Sequence, residues 1–153
     1  MANKFRYLRG DTRAIRLPAY ATDAIEIGDL LWWDAANNAV RPASAISGAD
    51  YAAKATAFAA AFIGVASQAK AAGATGNIAV WTAGDFQFDA PSGTGTDYDP
   101  TTLLAIGDGT DVLDQTVVKT TNVTDAIARV IAPKTTSAAV VEARLLSRTS
   151  ILY

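Results

Sequence analysis

Carboxylates are the side chains of this sequence best supplied for chemistry, because 13 of its 15 acidic residues are aspartates. The closest candidates are Asp97 with Asp99 and Asp108 with Asp111, and Asp85 and Asp89 flank two phenylalanines. A calcium loop needs alternating oxygen ligands that end in a bidentate carboxylate, and no glutamate lies near the first two pairs. The simpler interpretation is that these aspartates accept hydrogen bonds from the backbone of their own turns. We therefore predict no metal site.

The sequence has few of the side chains and motifs that enzymes use for catalysis. The chain has no histidine and no cysteine, so it lacks the commonest general base and any thiolate nucleophile. Its serines have no nucleophile-elbow pattern, and no glycine-rich phosphate loop follows a strand and opens a helix. Asp85 and Asp89 would act as an acid–base pair only with one raised pKa in a cleft. We predict that the protein is not an enzyme and has no catalytic residues, cofactor or small-molecule substrate.

Positive charge is concentrated at the start of the chain. Residues 1–16 carry five basic side chains and one acidic one, whereas the remaining residues carry 8 basic and 14 acidic ones. A basic arm on an acidic body predicts docking on an acidic surface; the alternative is a solvated strand with outward-facing arginines. Nucleic acid is not a predicted partner, because the rest of the chain has no basic patch. The docking candidates, with their apolar anchors, are Lys4, Phe5, Arg6, Tyr7, Leu8, Arg9, Arg13 and Arg16.

Trp32 and Trp33 are candidates for an interface between protein chains. Adjacent residues of a strand point to opposite faces, so one of the two rings is expected in the core and the other outside it. Tryptophan is enriched among the residues that dominate binding energy at interfaces. The alternative is that both rings are buried between a sheet and a helix.

Most of the sequence has the patterns of short strands. Residues 13–18 alternate charged and apolar side chains, the period of a half-buried strand that ends at Pro18. Residues 29–42 predict a hairpin, with a turn at 35–38 where asparagine tolerates a left-handed conformation. Residues 102–106, 117–118, 126–131 and 139–146 predict further strands.

Residues 48–62 form the only convincing helical stretch. They are rich in alanine, the best helix former, and either Ser47 or Asp50 is suited to cap the start. An apolar face has helical spacing, and its members are Tyr51, Ala55, Phe58 and Phe62.

The stretch from Ala61 to Phe88 reads as three strands, with Gly64 in the first where another backbone approaches closely. Its segments 62–67 and 77–81 resemble 127–132 and 139–143, and a hairpin-like segment precedes each unit. This weak internal repeat predicts two halves of one barrel or sandwich.

The predicted organisation is an extended basic arm, residues 1–12, followed by a single β-rich domain, residues 13–153. The fold class is mainly β: a small β-barrel, β-tulip or sandwich with one alanine-rich helix near 48–62. No run of about 18 apolar residues exists, so no membrane span is predicted. The start of the chain lacks the apolar region of a secretory signal.

Four segments resemble the small decoration, or cement, proteins of tailed-phage capsids, and more narrowly the DUF2190-type group. They are Gly28–Asp34, with its Gly-Asp turn before a hairpin, Ile63–Ala66, and Gly73–Val80 followed by Gly84–Phe88. The resemblance covers residues 24–90, and the C-terminal strands more loosely. The alanine-rich helix and the basic arm depart from the usual pattern.

The resemblance implies a non-enzymatic virion protein, made in the host cytoplasm, that lies on the outer capsid surface and stabilises the expanded shell. It implies the major capsid protein as partner and self-association as a homotrimer, with the arm clamping neighbouring capsid subunits. Two alternatives remain. One is another virion component, such as a tail, fibre-base or head-completion protein. The other is a ligand- or carbohydrate-binding β module.

Overall fold

The computed structural model describes residues 6–10, 12–90, 97–107, 114–134 and 139–146. In these ranges the chain forms eleven strands, one α-helix and two short 3₁₀ helices. The strands are β1 (Arg6–Arg9), β2 (Ala14–Pro18), β3 (Leu30–Asp34), β4 (Ala39–Pro42), β5 (Phe62–Ala66), β6 (Asn77–Trp81), β7 (Asp85–Asp89), β8 (Leu103–Ile106), β9 (Val117–Thr120), β10 (Ala128–Val130) and β11 (Val140–Leu145). The helix α1 spans Tyr51–Ala61, and the 3₁₀ helices span Ala43–Ala45 and Val123–Asp125. None of the described helices is both long and apolar enough to cross a membrane.

The strands form two antiparallel sheets. The five-stranded sheet has the order β2-β6-β5-β3-β4, and the six-stranded sheet has the order β1-β7-β11-β10-β8-β9. The prediction of a mainly β fold with one helix is confirmed, and of the predicted architectures the structure has the sandwich. Neither sheet closes into the predicted barrel, because only a single parallel bridge, Ala19 with Val40, joins the edges of the five-stranded sheet.

The internal repeat predicted from the sequence corresponds to the two sheets. Strands β2 to β6 in one sheet have the same order as β7 to β11 in the other, so β1 is the strand added to the second half. The connecting loops repeat as well. Ile25 exchanges two backbone hydrogen bonds with Lys70, and Tyr98 does the same with Lys134. Two units of equal topology therefore make one molecule.

Each sheet buries equivalent positions in a core of its own. In the five-stranded sheet the residues of this second core include Leu31, Val40, Ala66, Ile78 and Val80. In the six-stranded sheet the residues of the main core include Phe86, Phe88, Leu104, Ile106, Val130, Val141 and Ala143. The main core also takes in α1 and the opposite face of the five-stranded sheet, through Leu30, Phe62 and Val65.

Helix α1 packs on strands β3 and β8. Of the two predicted caps, Asp50 is the one used, since its carboxylate accepts a hydrogen bond of 2.8 Å from the Ala53 N–H. The hydroxyl of Tyr51 donates to the carbonyl of Ile106 at 2.8 Å and ties the first turn to β8. The predicted helical role of Phe62 is wrong, because the backbone becomes extended there and Phe62 begins β5.

Two predicted backbone features are confirmed. Asn38, in the turn between β3 and β4, has a positive φ of 50°. Gly64 lies against the carbonyl of Trp81, and a Cβ at this position would overlap that oxygen. The adjoining part of β5 contains a bulge opposite β3. Glycine is therefore required where two backbones approach this closely.

Candidate functional site

The outer face of the six-stranded sheet, opposite the main core, carries a line of charged side chains. Arg9 stands opposite Asp85, Asp85 opposite Arg144, and Arg144 opposite Arg129. We call these four residues the arginine row. They lie on the neighbouring strands β1, β7, β11 and β10, and because paired strands are about 4.8 Å apart the row spans roughly 14 Å.

Asp85 organises one end of the arginine row. Its carboxylate is buried and accepts hydrogen bonds from Nε and Nη2 of Arg144, at 2.7 and 3.0 Å. Nε of Arg9 lies 3.6 Å from the same carboxylate. The hydrogen bonds from Arg144, and then the charge of Arg9, lower the pKa of Asp85, so it stays ionised. Both arginine side chains nevertheless remain exposed, at 73% for Arg9 and 65% for Arg144.

Arg129 has no carboxylate partner in the described part of the chain. Its Nε donates to the neutral carbonyl of Pro100 at 2.7 Å. It also stands directly opposite Arg144, and like charges at such positions repel. With three arginines and one aspartate, the arginine row has a net charge of +2.

A groove of about 460 Å³ runs along the arginine row. Its lining combines cations with aliphatic surface, and the residues are Arg9, Pro100, Arg129, Val130, Ile131, Arg144 and Leu146. Leu146 is one of the few large apolar side chains that the described surface exposes, at 37%. The arrangement can bind an anion that also carries apolar groups; it offers donors, not a nucleophile or a base.

Strand β1 is held to the body through Tyr7. The Tyr7 ring contacts those of Trp81 and Phe86, with centroids 6.3 and 5.8 Å away, and its hydroxyl donates to the carbonyl of Gly10 at 2.6 Å. These contacts leave the arginines of β1 on the opposite, outer face. The segment predicted as an extended arm is therefore extended over residues 6–9, but there it is paired with β7 as an edge strand.

The structure divides the predicted docking residues. Arg6 and Arg9 lie on the outer face of the six-stranded sheet, whereas Arg16 is on β2 of the other sheet, where it donates to the carbonyl of Asn77 at 3.0 Å. Arg13 precedes β2 and is exposed. Of the predicted apolar anchors, Tyr7 packs on the body and Leu8 is half-buried. Lys4 and Phe5 lie outside the described residues.

Trp32 and Trp33 point to opposite faces of β3, as predicted. Trp32 packs against the main core and donates through Nε1 to the carbonyl of Pro42 at 3.0 Å. Trp33 packs against the second core. Both rings are half-buried, and their role as interface residues remains a prediction. The guanidinium of Arg41 lies 5.9 Å from the Trp32 ring and 4.5 Å from the Tyr20 ring.

Two residues of the arginine row, Arg129 and Arg144, were absent from the sequence-based candidates, and Asp85 was considered only for acid–base chemistry. A signal for the arginines exists in the sequence. Arg129 and Arg144 are charged residues in mainly apolar strands. In these strands exposed or half-buried residues alternate with buried ones. Alternation identifies them as exposed, but only strand pairing shows that they are neighbours.

The other predicted carboxylates differ in their surroundings, and Oδ1 of Asp89 is buried with no hydrogen-bond partner in the described part of the chain. The Asp99 carboxylate accepts hydrogen bonds from the N–H and hydroxyl of Thr101, the predicted turn arrangement. Asp108 and Asp111 lie outside the described residues. Within the described ranges, no group of three or more acidic side chains is placed to hold a metal ion.

Asp29 is a buried carboxylate with a raised pKa. Burial raises its pKa to about 6, against the opposing effect of hydrogen bonds from the Glu26 N–H and from Gln115, both 2.7 Å long. Gln115 belongs to the second half of the chain. Its neighbour Asp114 accepts a hydrogen bond of 2.7 Å at its carbonyl from the Leu30 N–H. Asp29 therefore joins the two halves and lies outside the groove.

The fold is shared with a phage protein of known structure. The chain is similar to the N base of the head fibre protein gp8.5 from bacteriophage phi29, with a TM-score of 0.52 and 14% sequence identity. The match covers 87% of this chain and 94% of that one. At this identity the likeness is one of fold. No protein-family model and no curated protein matches the sequence, so the DUF2190-type resemblance stays a prediction.

Proposed function

We propose that this chain is a non-enzymatic structural protein of a phage virion. The observation that carries the proposal is the fold likeness to the N base of a phage head fibre, which extends over nearly the full length of both chains. The sequence resemblance to capsid decoration proteins points to the same class of protein. The exposed arginine row is consistent with a binding role, since it offers a charged surface for a partner.

The specific role we propose is decoration of the outer capsid surface, with the major capsid protein as partner. The outer face of the six-stranded sheet would contact that protein through Arg6 and Arg9 of β1 together with the rest of the arginine row. A protein that binds only the expanded shell stabilises that state by mass action. Self-association as a homotrimer belongs to the same proposal.

A second candidate role is the base of a head fibre. The description of the phi29 protein as a head fibre N base favours it. Both roles place the chain on the head, but they differ in copy number. A decoration protein accompanies the major shell protein in a fixed, near-stoichiometric ratio, whereas fibres are expected to be fewer.

The test is quantification of the chain in banded particles. Particles would be purified from the source culture on a density gradient, and the chain measured against the major shell protein, with an abundant lysate protein as the control for carry-over. A near-stoichiometric ratio supports decoration. A few copies per particle support the fibre-base role or another minor virion component. Absence from banded particles contradicts the virion proposal and returns attention to a ligand-binding β module.

Substitution in β1 tests the docking surface. Deleting residues 2–12 would remove an edge strand from the sheet, so Arg6→Gln with Arg9→Gln is the cleaner variant. We expect the double variant to rebind stripped particles at least tenfold more weakly, since each lost charged hydrogen bond is worth about 1.5–3 kcal/mol. Rebinding equal to that of the wild type would exclude β1 from the docking surface.

A further inference from the structure

We propose that the groove along the arginine row binds an acidic, aliphatic peptide segment of the partner protein. In this arrangement a carboxylate of the partner lies between Arg129 and Arg144, and an adjacent aliphatic side chain packs on Leu146 and Ile131. The inference rests on the proposed function only in taking the natural partner to be a virion protein. The binding chemistry itself is a property of the groove.

Charge complementarity is the first argument. The arginine row has a net charge of +2, and Glu142, two residues before Arg144 on the same strand, is paired with Lys134 at 3.5 Å. Arg129 and Arg144 face each other, and among the described residues the one carboxylate bonded to either guanidinium is that of Asp85, which binds Arg144 from the far side. An incoming carboxylate would relieve their repulsion.

The donors that remain on the arginines are the second argument. A guanidinium has five N–H donors in a planar fork that matches a carboxylate. Arg129 uses its Nε on Pro100, and Arg144 uses Nε and Nη2 on Asp85. Both side chains are exposed. Because Asp85 and Pro100 fix the two guanidinium groups, part of the side-chain entropy cost of binding is already met.

The aliphatic lining decides between peptide and nucleic acid. Pro100 and Leu146 are exposed, and Ile131 is half-buried. A nucleic-acid groove would combine a longer basic track with exposed aromatic rings, whereas this row contains a carboxylate on a chain of net charge −2. An acidic segment with leucine- or isoleucine-like side chains fits both components of the lining.

The test is an NMR titration of the ¹⁵N-labelled chain with blocked peptides. The probes are Leu-Glu-Leu-Glu-Leu, its Leu-Gln-Leu-Gln-Leu counterpart and a ten-residue oligothymidylate. We expect saturable shifts at the backbone amides of Arg9, Ile131 and Arg144 with the acidic peptide. The glutamine peptide should bind at least tenfold more weakly, and added salt should weaken the binding of the acidic peptide.

Matched variants assign the effect to the groove. Arg129→Gln removes one positive charge from the groove, and we expect it to lower the affinity for the acidic peptide about tenfold or more. Lys119→Gln removes one exposed positive charge of the same sheet outside the groove lining, and should change the affinity less than twofold. The dispersion of each spectrum verifies that the variant is folded.

Several outcomes would overturn the inference. They are equal binding of the two peptides, an Arg129→Gln affinity equal to that of the wild type, or tighter binding of the oligothymidylate in the same groove. Because the titration uses the purified chain alone, it is independent of particle association. A chain found on particles that binds no acidic peptide would refute the groove inference and leave the proposed function standing. Acidic-peptide binding by a chain that is absent from particles would support the groove inference and refute the proposed function.

Discussion

The two halves of the molecule share one strand order but differ in what the corresponding outer positions do. Across the six-stranded sheet, Asp85, Arg144 and Arg129 stand opposite one another and are charged. The positions that pair in the same way across the five-stranded sheet are Ala14, Trp81 and Val65. Val65 is fully buried, and Trp81 packs on the main core. The same scaffold therefore presents a charged surface in one half and an apolar packing surface in the other.

The additions to each half explain this difference. The first half has α1 inserted between β4 and β5, and this helix packs over the apolar face of its sheet. The second half has only the 3₁₀ helix Val123–Asp125 at the equivalent connection, and it gains β1 at its edge. Packing therefore covers this face in the first half, whereas the equivalent face of the second half carries exposed arginines.

The strongest test of the comparison exchanges residues between the equivalent positions. We expect Val65→Arg to prevent stable folding, because burying an unpaired guanidinium costs several kcal/mol, a large part of a domain's total stability. The reverse change, Arg129→Val, should alter the free energy of unfolding by less than about 0.5 kcal/mol, since the side chain is exposed. Urea unfolding of both variants measures this. Wild-type stability of Val65→Arg would mean that the two faces are not different.

The second prediction concerns the inserted helix. Phe58 of α1 is fully buried, so Phe58→Ala should lower the free energy of unfolding by about 3–5 kcal/mol. Val123, in the equivalent connection of the other half, is 72% exposed, and Val123→Ala should cost less than about 0.5 kcal/mol. Thermal unfolding of the pair distinguishes them. Equal losses would contradict the role of α1 as the cover of the apolar face.

The third prediction compares Gly64 with its counterpart Ala128, which pairs with β8 as Gly64 pairs with β3. Gly64→Ala should cost about 3 kcal/mol, because its Cβ would overlap the carbonyl of Trp81 and the backbone must shift. Ala128→Gly should cost only about 1 kcal/mol. Urea unfolding with the wild-type chain as the reference measures both. An unaffected Gly64→Ala variant would show that β5 and β6 are farther apart than described.

The smallest effect is a pH dependence that belongs to one half. Asp29 is buried with a pKa of about 6, and Thr102, which cannot titrate, occupies the equivalent position before β8. A raised pKa in the folded state means that stability is greatest below the unfolded value near 3.8 and falls as the pH rises through 6. From pH 5 to pH 7 the loss attributed to Asp29 is about 1 kcal/mol.

Asp29→Asn should reduce this slope, which urea unfolding at several pH values would reveal. A residual slope is expected from Asp114, whose pKa burial also raises. Three other carboxylates, those of Asp34, Asp85 and Asp99, have a lowered pKa. They make stability depend on pH only below about 4, where their protonation reduces it. If the pH dependence of stability were unchanged in Asp29→Asn, its attribution to Asp29 would be contradicted.

Sequence patterns predicted the strands, the helix and the repeat because each depends on local alternation or spacing. The repeat was one residue out of register. The sequence match aligns Phe62 with Ile127, which puts Gly64 at the position of Arg129, whereas the sheet pairing makes Val65 the counterpart of Arg129. A shift of one residue exchanges the two faces of a strand.

The arginine row was not predictable for a related reason. Its members come from residues 9, 85, 129 and 144, and only the order of the sheet makes them neighbours. The docking candidates predicted from the early arginines did include Arg9, and Arg6 of the same strand lies on the same outer face. The candidates also included Arg13 and Arg16, but Arg13 precedes β2 and Arg16 lies on it, in the other sheet.

We propose that the arginine-bearing outer face of the six-stranded sheet is the docking surface of a virion protein. Electron cryomicroscopy of particles that carry the chain tests it most directly. We expect β1, β10 and β11 to face the particle, with Arg129 and Arg144 at the contact. A reconstruction in which this face points to solvent and the five-stranded sheet makes the contact would contradict it.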